Sequence, residues 1–290
     1  MRRERARVLL GLAIPALAAL TVRVDTARAA GNVKGAVIGA GVLELTGDNL
    51  GNQFHLSPSG PTDVLAEGNT GTTINGAAMQ TFANVRSLRI ETGNGDDVIE
   101  IEDVVLTAQP GVVSGFLNIT SGGGADKIDV DDVVVTGISN IRSGTGNDTI
   151  ILSTSDFRRR LKIVTADGND IVNTDLVSVG VAGAGAIDKE FELSTGKGVD
   201  VVTLDTDTFD GPVRVEGDED NDTITSQGST FKGRVHWSGN EDNDCFKIGG
   251  STFMLNVQLN GNRGVNGYDD LGGNTFPVGS PQLRNIAGAC

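Results

Sequence analysis

A short glycine–aspartate motif returns at a nearly fixed interval along most of this chain. Its pattern is G-x-G-x-D-x-[IV], and the first clear copy runs from Gly93 to Ile99. The aspartate of the motif recurs at Asp97, Asp126, Asp148, Asp170, Asp200, Asp222 and Asp244, and Asn266 holds the eighth position. The intervals are 29, 22, 22, 30, 22, 22 and 22 residues. A period of this length is typical of a solenoid, in which each repeat packs only on its neighbours.

Three short apolar segments accompany each aspartate. Pairs of apolar residues at i, i+2 precede the glycines and follow the aspartate, as in Leu88/Ile90 and Ile99/Ile101, which is the spacing of a strand with one buried face. A third apolar column lies five residues further on, at Leu106, Val135, Phe157, Val179, Phe209, Phe231 and Phe253, with Phe276 one residue out of register. The connections are too short for helices. We therefore predict an all-β fold, a parallel right-handed β-helix with about 22 residues and three short strands per coil, over residues 88–276.

Residues 1–29 have the pattern of a secretory signal peptide. Four arginines lie within residues 2–7, an apolar run extends from Val8 to Val22, and Ala27-Arg28-Ala29 forms a small-x-small cleavage site. The run of about 15 residues is shorter than the ~20 that a spanning helix needs, and no later segment is apolar for longer. We expect no transmembrane segment after signal removal and a secreted, extracellular or cell-surface location, with the periplasm as an alternative.

The net charge limits the kinds of molecule that this protein can bind, and the cysteine count limits its disulfide bonds. The chain carries a net charge of −15, and residues 1–29 contain six arginines and two acids, so the remainder carries −19. This acidity argues against a nucleic-acid partner and is compatible with divalent cations. Two cysteines, Cys245 and Cys290, are too few for a disulfide framework. One bridge that pins the tail, two free thiols and an intermolecular bridge through Cys290 all remain open.

Both ends of the repeat array are expected to be covered, because an open β-helix end exposes unpaired strand edges. Residues 30–87 contain less regular apolar pairs, such as Leu43/Leu45 and Phe54/Leu56. Leu88 lies 45 residues after Leu43, which is close to two coil lengths. We interpret residues 30–87 as an N-terminal cap and two irregular coils, and residues 277–290 as a C-terminal tail or cap.

The glycine–aspartate corner resembles the haemolysin-type calcium repeat of toxins and adhesins, whose nonapeptide is G-G-x-G-x-D-x-U-x. The resemblance covers the corner only, because that family repeats every nine residues and has two binding corners per coil. The whole pattern, with G-[ND]-G-[ND]-D-x-[IV] corners, also resembles bacterial surface β-helix proteins over nearly all of the mature chain. The first likeness implies calcium held by glycine carbonyls and aspartates.

Repulsion between stacked carboxylates gives an independent reason to consider a cation. Charges about 4.8 Å apart repel by roughly 1 kcal/mol per neighbour in water. Calcium, which prefers oxygen ligands, would offset this repulsion. Hydrogen bonds from the backbone N–H groups of each aspartate's own turn would offset it as well. In coils six and seven, which contain Asp222 and Asp244, acids replace the glycines. The candidate metal ligands are Asp97, Asp126, Asp148, Asp170, Asp200, Asp218, Asp220, Asp222, Asp242 and Asp244.

Two insertions and a basic segment mark one corner as a candidate binding face. Extra residues around 107–114 and 180–187 both fall between a third strand and the next first strand. Insertions on one face of a repeat array are often where binding occurs. The residues between them that would bind an acidic glycan are Arg158, Arg159, Arg160 and Lys162. A solvated charge run on a turn is the alternative.

Two classes of function fit these features. The first is a secreted or surface-exposed, non-catalytic β-helix scaffold with an adhesion, matrix or ligand-binding role, stabilised by calcium and contacting an acidic glycan or a surface protein. The second is a carbohydrate-active β-helix enzyme, a polysaccharide lyase or hydrolase acting on acidic glycans. Short sequences such as Asn173-Thr174-Asp175 resemble those of polygalacturonases, but their order differs. No residue is assigned a catalytic role.

Overall fold

The computed structural model describes residues 31–107, 115–180 and 188–290. Within these residues all regular structure is β-strand. No helix in this part of the chain is long and apolar enough to cross a membrane. The expected signal peptide and most of both expected insertions lie outside the described residues.

Short strands follow one another along the whole described chain. The first six are β1 (Asn32–Ile38), β2 (Val42–Thr46), β3 (Gln53–Pro58), β4 (Val64–Gly68), β5 (Thr73–Ile74) and β6 (Met79–Phe82). The next twelve are β7 (Ser87–Asn94), β8 (Val98–Glu102), β9 (Val105–Leu106), β10 (Leu117–Gly123), β11 (Lys127–Asp131), β12 (Val134–Val135), β13 (Ser139–Thr145), β14 (Thr149–Ser153), β15 (Asp156–Phe157), β16 (Leu161–Asp167), β17 (Ile171–Asp175) and β18 (Ser178–Val179). The last thirteen are β19 (Phe191–Lys197), β20 (Val201–Asp205), β21 (Thr208–Phe209), β22 (Val213–Glu219), β23 (Thr223–Gln227), β24 (Thr230–Phe231), β25 (Val235–Asn240), β26 (Cys245–Gly249), β27 (Thr252–Phe253), β28 (Val257–Asn260), β29 (Asn266–Gly272), β30 (Gln282–Arg284) and β31 (Ile286–Gly288).

The strands form three sheets that run along the solenoid, so the predicted parallel β-helix is confirmed. From β7 to β27, each coil adds one strand to each sheet, and β28 and β29 continue the first two sheets. The equivalent strands of successive coils pair in parallel. Two sheets contain 12 strands and the third contains 7. The register places equivalent residues of successive coils opposite each other, as in Ile128 and Ile150.

The three apolar columns fill the interior, as the repeat spacing predicts. The pairs that flank the glycine–aspartate motif and the third column are buried, and Phe157, Phe209, Phe231 and Phe253 are at most 1% exposed. The rings of Phe209, Phe231 and Phe253 stack with centroids 5.1 and 4.6 Å apart. Phe276, despite its shifted position in the sequence, continues this stack 5.1 Å from Phe253. Side chains of one kind therefore pack on their own equivalents along the axis.

The N-terminal region differs from the two coils expected there. Leu43 is the direct register partner of Leu88. These two residues, 45 positions apart in the sequence, therefore belong to adjacent coils, with no further coil between them. Only β2 and β3 join the parallel stack. The other pairings are antiparallel for β1 with β2, β3 with β4 and β4 with β6, and parallel for the short pair β1 with β5. Chain reversal at Gly39 and Gly41, both at positive φ, makes the first hairpin possible, and these strands cover the end of the stack.

The C-terminal residues extend two of the sheets. Strand β30 pairs with β28, and β31 pairs with β29, both in parallel. A disulfide joins Cys245 in β26 to Cys290, 45 residues later, with Cα atoms 5.5 Å apart. Of the three possibilities open from the sequence, the structure therefore has the intramolecular bridge that fixes the tail.

Candidate functional site

The repeated corner, defined as the turn from the first glycine of the motif to its aspartate, is too crowded for most side chains. A Cβ built on Gly144 would lie 1.8 Å from the carbonyl oxygen of Gly122 in the preceding coil. Both residues have positive φ, at 100° and 111°. Glycine is therefore required for two reasons, the backbone conformation and the close approach of the next corner.

Acids and amides replace these glycines in coils six and seven without changing the turn. Asp218, Asp220 and Asp242 have φ of 78°, 78° and 70°, and Asn240 has 77°. Aspartate and asparagine enter this left-handed region more readily than other side chains. The replacements that suggested a cation site thus also have a conformational explanation.

The aspartate column lies inside the solenoid, where it forms a ladder of hydrogen bonds that we call the inner ladder. Each backbone N–H in the column donates to Oδ1 of the equivalent residue in the next coil. The links run from Asn52 to Asp97, Asp126, Asp148, Asp170, Asp200, Asp222, Asp244 and Asn266, with N···O distances of 2.6–3.1 Å. All seven aspartates are at most 3% exposed. The bonds therefore join coils, rather than closing each aspartate's own turn as the alternative had supposed.

The second carboxylate oxygen of each aspartate has a different environment. Oδ2 of all seven column aspartates is buried without a hydrogen-bond partner among the described residues. In the first five coils a Ser or Thr lies five residues before the aspartate, at Thr92, Ser121, Ser143, Thr165 and Thr195. These hydroxyls lower the pKa of the neighbouring carboxyl, but several donate instead to a carbonyl of the next coil, as Ser121 does to Ser143 O at 2.8 Å.

Burial nevertheless dominates the protonation of the column. Desolvation raises the pKa of Asp126, Asp148, Asp200 and Asp244 to about 6. Asp222 reaches about 8, through desolvation first and then the nearby charges of Asp200 and Asp244. In its coil the hydroxyl position holds Gly217, and a Cβ there would lie 2.2 Å from Asp222 Oδ2. Asp244 has a glycine at the same position, Gly239, and a pKa of about 6, so the missing hydroxyl alone does not explain the difference. Asp222 most favours its protonated form because the charges of Asp200, Asp244 and Asp218 add to its burial.

A second ladder runs along the outside of the same corner, and we call it the outer ladder. It uses the residue immediately before the column aspartate. The N–H of Ala125 donates to Asp96 Oδ1, and the later links are Asn169 to Asn147, Val199 to Asn169, Asn243 to Asn221 and Val265 to Asn243, at 2.7–2.9 Å. Here the donor belongs to the later coil, whereas in the inner ladder it belongs to the earlier coil. The outer ladder is interrupted at Ala125 and Val199, which have no side-chain oxygen. Where both ladders are present, two successive amides of a corner donate in opposite directions along the axis.

A third buried ladder contains a carboxyl that sequence reasoning missed. Asp207 precedes β21 and is 1% exposed. Its Oδ1 accepts from the N–H of Val177 at 2.9 Å, its Oδ2 accepts from the hydroxyl of Thr174, and its own N–H donates to Ser229 Oγ at 3.0 Å. Desolvation raises the pKa of Asp207 to about 7. The equivalent residues in other coils are Val, Ser or Asn, so no repeated acid marks the position in the sequence.

The remaining candidate metal ligands lie on the outside of the corner. Asp220 and Asp242 are exposed, and Asp218 is partly buried. Asp218 already accepts hydrogen bonds from Ser194 Oγ at 2.7 Å and Asn240 Nδ2 at 2.9 Å. A groove of about 390 Å³ adjoins these residues, lined by Asp167, Gly196, Lys197, Asp218, Glu219, Asn240 and Glu241. The structure therefore separates the ten candidates into a buried column and an exposed acidic corner.

The basic segment is largely neutralised by its own neighbours. Arg158 Nε lies 2.9 Å from Asp156 Oδ2, and Arg159 Nη2 lies 2.8 Å from Asp188 Oδ2. Lys162 Nζ lies 2.8 Å from Glu192 Oε2. Arg160 Nε is buried without a hydrogen-bond partner among the described residues. Three of the four cations thus pair with carboxylates of this chain, rather than forming an open anion-binding groove.

A groove of about 320 Å³ next to this segment contains two adjacent acids. It is lined by Lys162, Ile163, Glu190, Glu192, Leu193, Ser194, Arg214 and Glu216. Burial, together with the charge of Glu192, raises the pKa of Glu190, while the hydrogen bond from Lys162 lowers the pKa of Glu192. One carboxyl is therefore biased towards its acid form and its neighbour towards its base form.

No family model, curated protein or solved structure matches this chain.

Proposed function

We propose that this protein is a secreted or surface-exposed, non-catalytic β-helix scaffold with an adhesion, matrix or ligand-binding role. The observation that carries the proposal is the inner ladder. The seven column aspartates are buried, and one carboxylate oxygen of each accepts a hydrogen bond from a backbone N–H of the neighbouring coil. The repeated aspartate therefore serves to hydrogen-bond one coil to the next. Such a role suits a rigid scaffold whose exposed surface contacts a partner.

Export is supported by the cysteine pair as well as by the leader. A disulfide between Cys245 and Cys290 persists in oxidising compartments and is rare where thiols are kept reduced. The proposed locations are the extracellular space, the cell surface or the periplasm. Proteinase treatment of intact cells that express the full chain with its own leader tests this directly. Degradation of the protein without lysis is expected for a surface location, and full protection until lysis would contradict it.

An acidic glycan or a surface protein is the proposed partner, with Arg158, Arg159, Arg160 and Lys162 as its contact. An anionic ligand would have to replace the carboxylates of Asp156, Asp188 and Glu192, because these already hold three of the four cations. Binding would then be weak and sensitive to salt. Replacing the three acids by amides is expected to strengthen the binding of polygalacturonate, whereas replacing the four cations by glutamine should abolish it.

Calcium is the proposed stabilising ion, and the exposed acidic corner is its proposed place. Calcium takes oxygen ligands in flexible number, and Asp220 and Asp242 occupy equivalent positions in adjacent coils. The buried aspartates are less suitable, since each Oδ1 is already used by an amide.

The second candidate is a carbohydrate-active enzyme, favoured by the groove that holds Glu190 and Glu192. A carboxyl biased towards its acid form beside one biased towards its base form can supply general acid–base catalysis. Incubating the purified protein with polygalacturonate and other acidic polysaccharides, and measuring new reducing ends or unsaturated products, separates the two functions. The scaffold proposal expects no product. Product formation that Glu190→Gln abolishes would replace it with the enzyme.

A further inference from the structure

The C-terminal end of the solenoid brings together two sulfur atoms and a carboxylate. Cys245 lies in β26, Asp269 lies in the adjacent strand β29, and Cys290 follows β31. One ligand atom from each of the three lies within 4.8 Å of the other two. Two ligands of one tetrahedral zinc ion are roughly 3.5–4 Å apart, so a small adjustment of side chains would suffice to enclose a metal.

The backbone holds Cys290 in this position independently of the disulfide. Strand β31 pairs in parallel with β29, which fixes the tail a few residues before Cys290. The N–H of Cys290 donates to Asp269 Oδ1 at 3.1 Å. Gly267 is the register partner of Cys245, and a Cβ on it would lie 2.7 Å from Cys290 Cα. The tail can approach this closely only because residue 267 has no side chain.

We propose that Cys245, Asp269 and Cys290 form a redox-gated site for a thiophilic divalent ion such as Zn²⁺. In the oxidised protein the sulfurs are bonded to each other, so the site is closed. A thiol or phosphine reductant delivers two electrons and two protons, which breaks the S–S bond and produces two thiols. Zn²⁺ then displaces both thiol protons and binds two thiolates and the carboxylate, and water occupies the fourth position.

The surroundings are compatible with this chemistry. Cys290 is exposed, so a reductant and a metal ion can both reach the sulfur, while Cys245 and Asp269 are partly buried. Lys247, a cation, is the register partner of Asp269. Asp270, the next acid along β29, instead accepts from Gly272 N–H and Asn274 Nδ2 at 2.8 and 2.7 Å. Asp270 therefore provides a matched control that lies one residue away and faces different partners.

The test is Zn²⁺ titration of the full chain, oxidised and after phosphine reduction, with Cd²⁺ as an optical probe of thiolate coordination. The reduced protein is expected to bind one Zn²⁺ at least 100-fold more tightly than the oxidised protein and to show a cadmium–thiolate absorption band. Asp269→Asn should weaken binding at least tenfold, whereas Asp270→Asn should leave it unchanged.

Thermal melting of the reduced protein separates a site in the folded state from capture by loose thiols. Zn²⁺ bound only by the folded state must raise the melting temperature of the reduced chain. An unchanged melting temperature, equal zinc affinity of the oxidised and reduced protein, or wild-type affinity in Asp269→Asn would each overturn the proposal.

Discussion

Asp222 Oδ2 lies so close to Gly217 that a single methyl group on that glycine would be 2.2 Å from it. In coils one to five the same position holds a serine or threonine, whose hydroxyl lowers the pKa of the column aspartate. Asp222 lacks this help and has the highest pKa of the column, about 8. Asp244 also has a glycine at this position, Gly239, but its pKa is only about 6. The pKa of Asp222 is therefore set by its burial and by the nearby charges of Asp200, Asp244 and Asp218.

The stability of the fold should rise as the pH falls from 8 to 5. The folded protein keeps protons on its buried carboxyls up to about pH 6 to 8, whereas the unfolded chain releases them near pH 3.9. Because the folded state binds more protons over this interval, its free energy of unfolding decreases as the pH rises through it. We expect a melting temperature higher at pH 5 than at pH 8 by on the order of 5 °C or more. A melting temperature that increases towards pH 8 would contradict the assignment.

Replacing Asp222 by asparagine should keep the inner ladder and remove much of this pH dependence. The chain already has Asn52 and Asn266 in the column, and Asn266 Oδ1 accepts the Asp244 N–H at 2.7 Å. Asp222→Asn should therefore be at least as stable as the wild type at pH 8. Asp222→Ala leaves the buried Asp200 N–H without a partner and should cost about 1–3 kcal/mol. Urea titrations at pH 8 measure the difference, and equal losses in both variants would show that the ladder does not matter.

Replacing Phe231 by alanine should destabilise the protein by about 3–5 kcal/mol. Its ring is fully buried between Phe209 and Phe253, so truncation leaves a cavity in the stack. Arg159→Ala is the control. Its ion pair with Asp188 is partly exposed on both sides, and removing it should cost about 0–1 kcal/mol. Similar unfolding midpoints in denaturant for the two variants would be inconsistent with the packing of the phenylalanine column.

Calcium should raise the melting temperature relative to chelator, and the outer acids should be responsible. An ion bound only by the folded state stabilises by about 2.7 kcal/mol at a hundredfold excess over its dissociation constant. The variant Asp220→Asn/Asp242→Asn should lose this increase, whereas Asp222→Asn/Asp244→Asn should keep it. If only Asp222→Asn/Asp244→Asn lost the increase, the ion would lie in the buried column. If the wild type melted at the same temperature in calcium and in chelator, the motif would have a structural role in the turn and no role in binding calcium.

The parallel coils could be predicted from the sequence because each inward column repeats its own residue type. The phenylalanine stack and the burial of the leucine and isoleucine pairs follow from that period. The antiparallel cap could not be predicted, since Leu43 has the same apolar spacing whether 45 residues form a second coil or a folded insertion. Asp207 was missed for a related reason. Its buried role depends on Thr174 and Val177 in the preceding coil, and a single acid has no period.

The opposed directions of the inner and outer ladders set a rule for how such a chain can change in length. The coil that contains Asn169 and Asp170 supplies one amide to the coil after it and one to the coil before it, and it offers one acceptor in each direction. Deleting one whole coil would rejoin two surfaces that still match, whereas a cut that moves the column aspartate out of register would leave an amide facing no oxygen. The solenoid should therefore gain or lose length by whole coils. A coil with the opposite chain direction would not match the donors and acceptors of its neighbours.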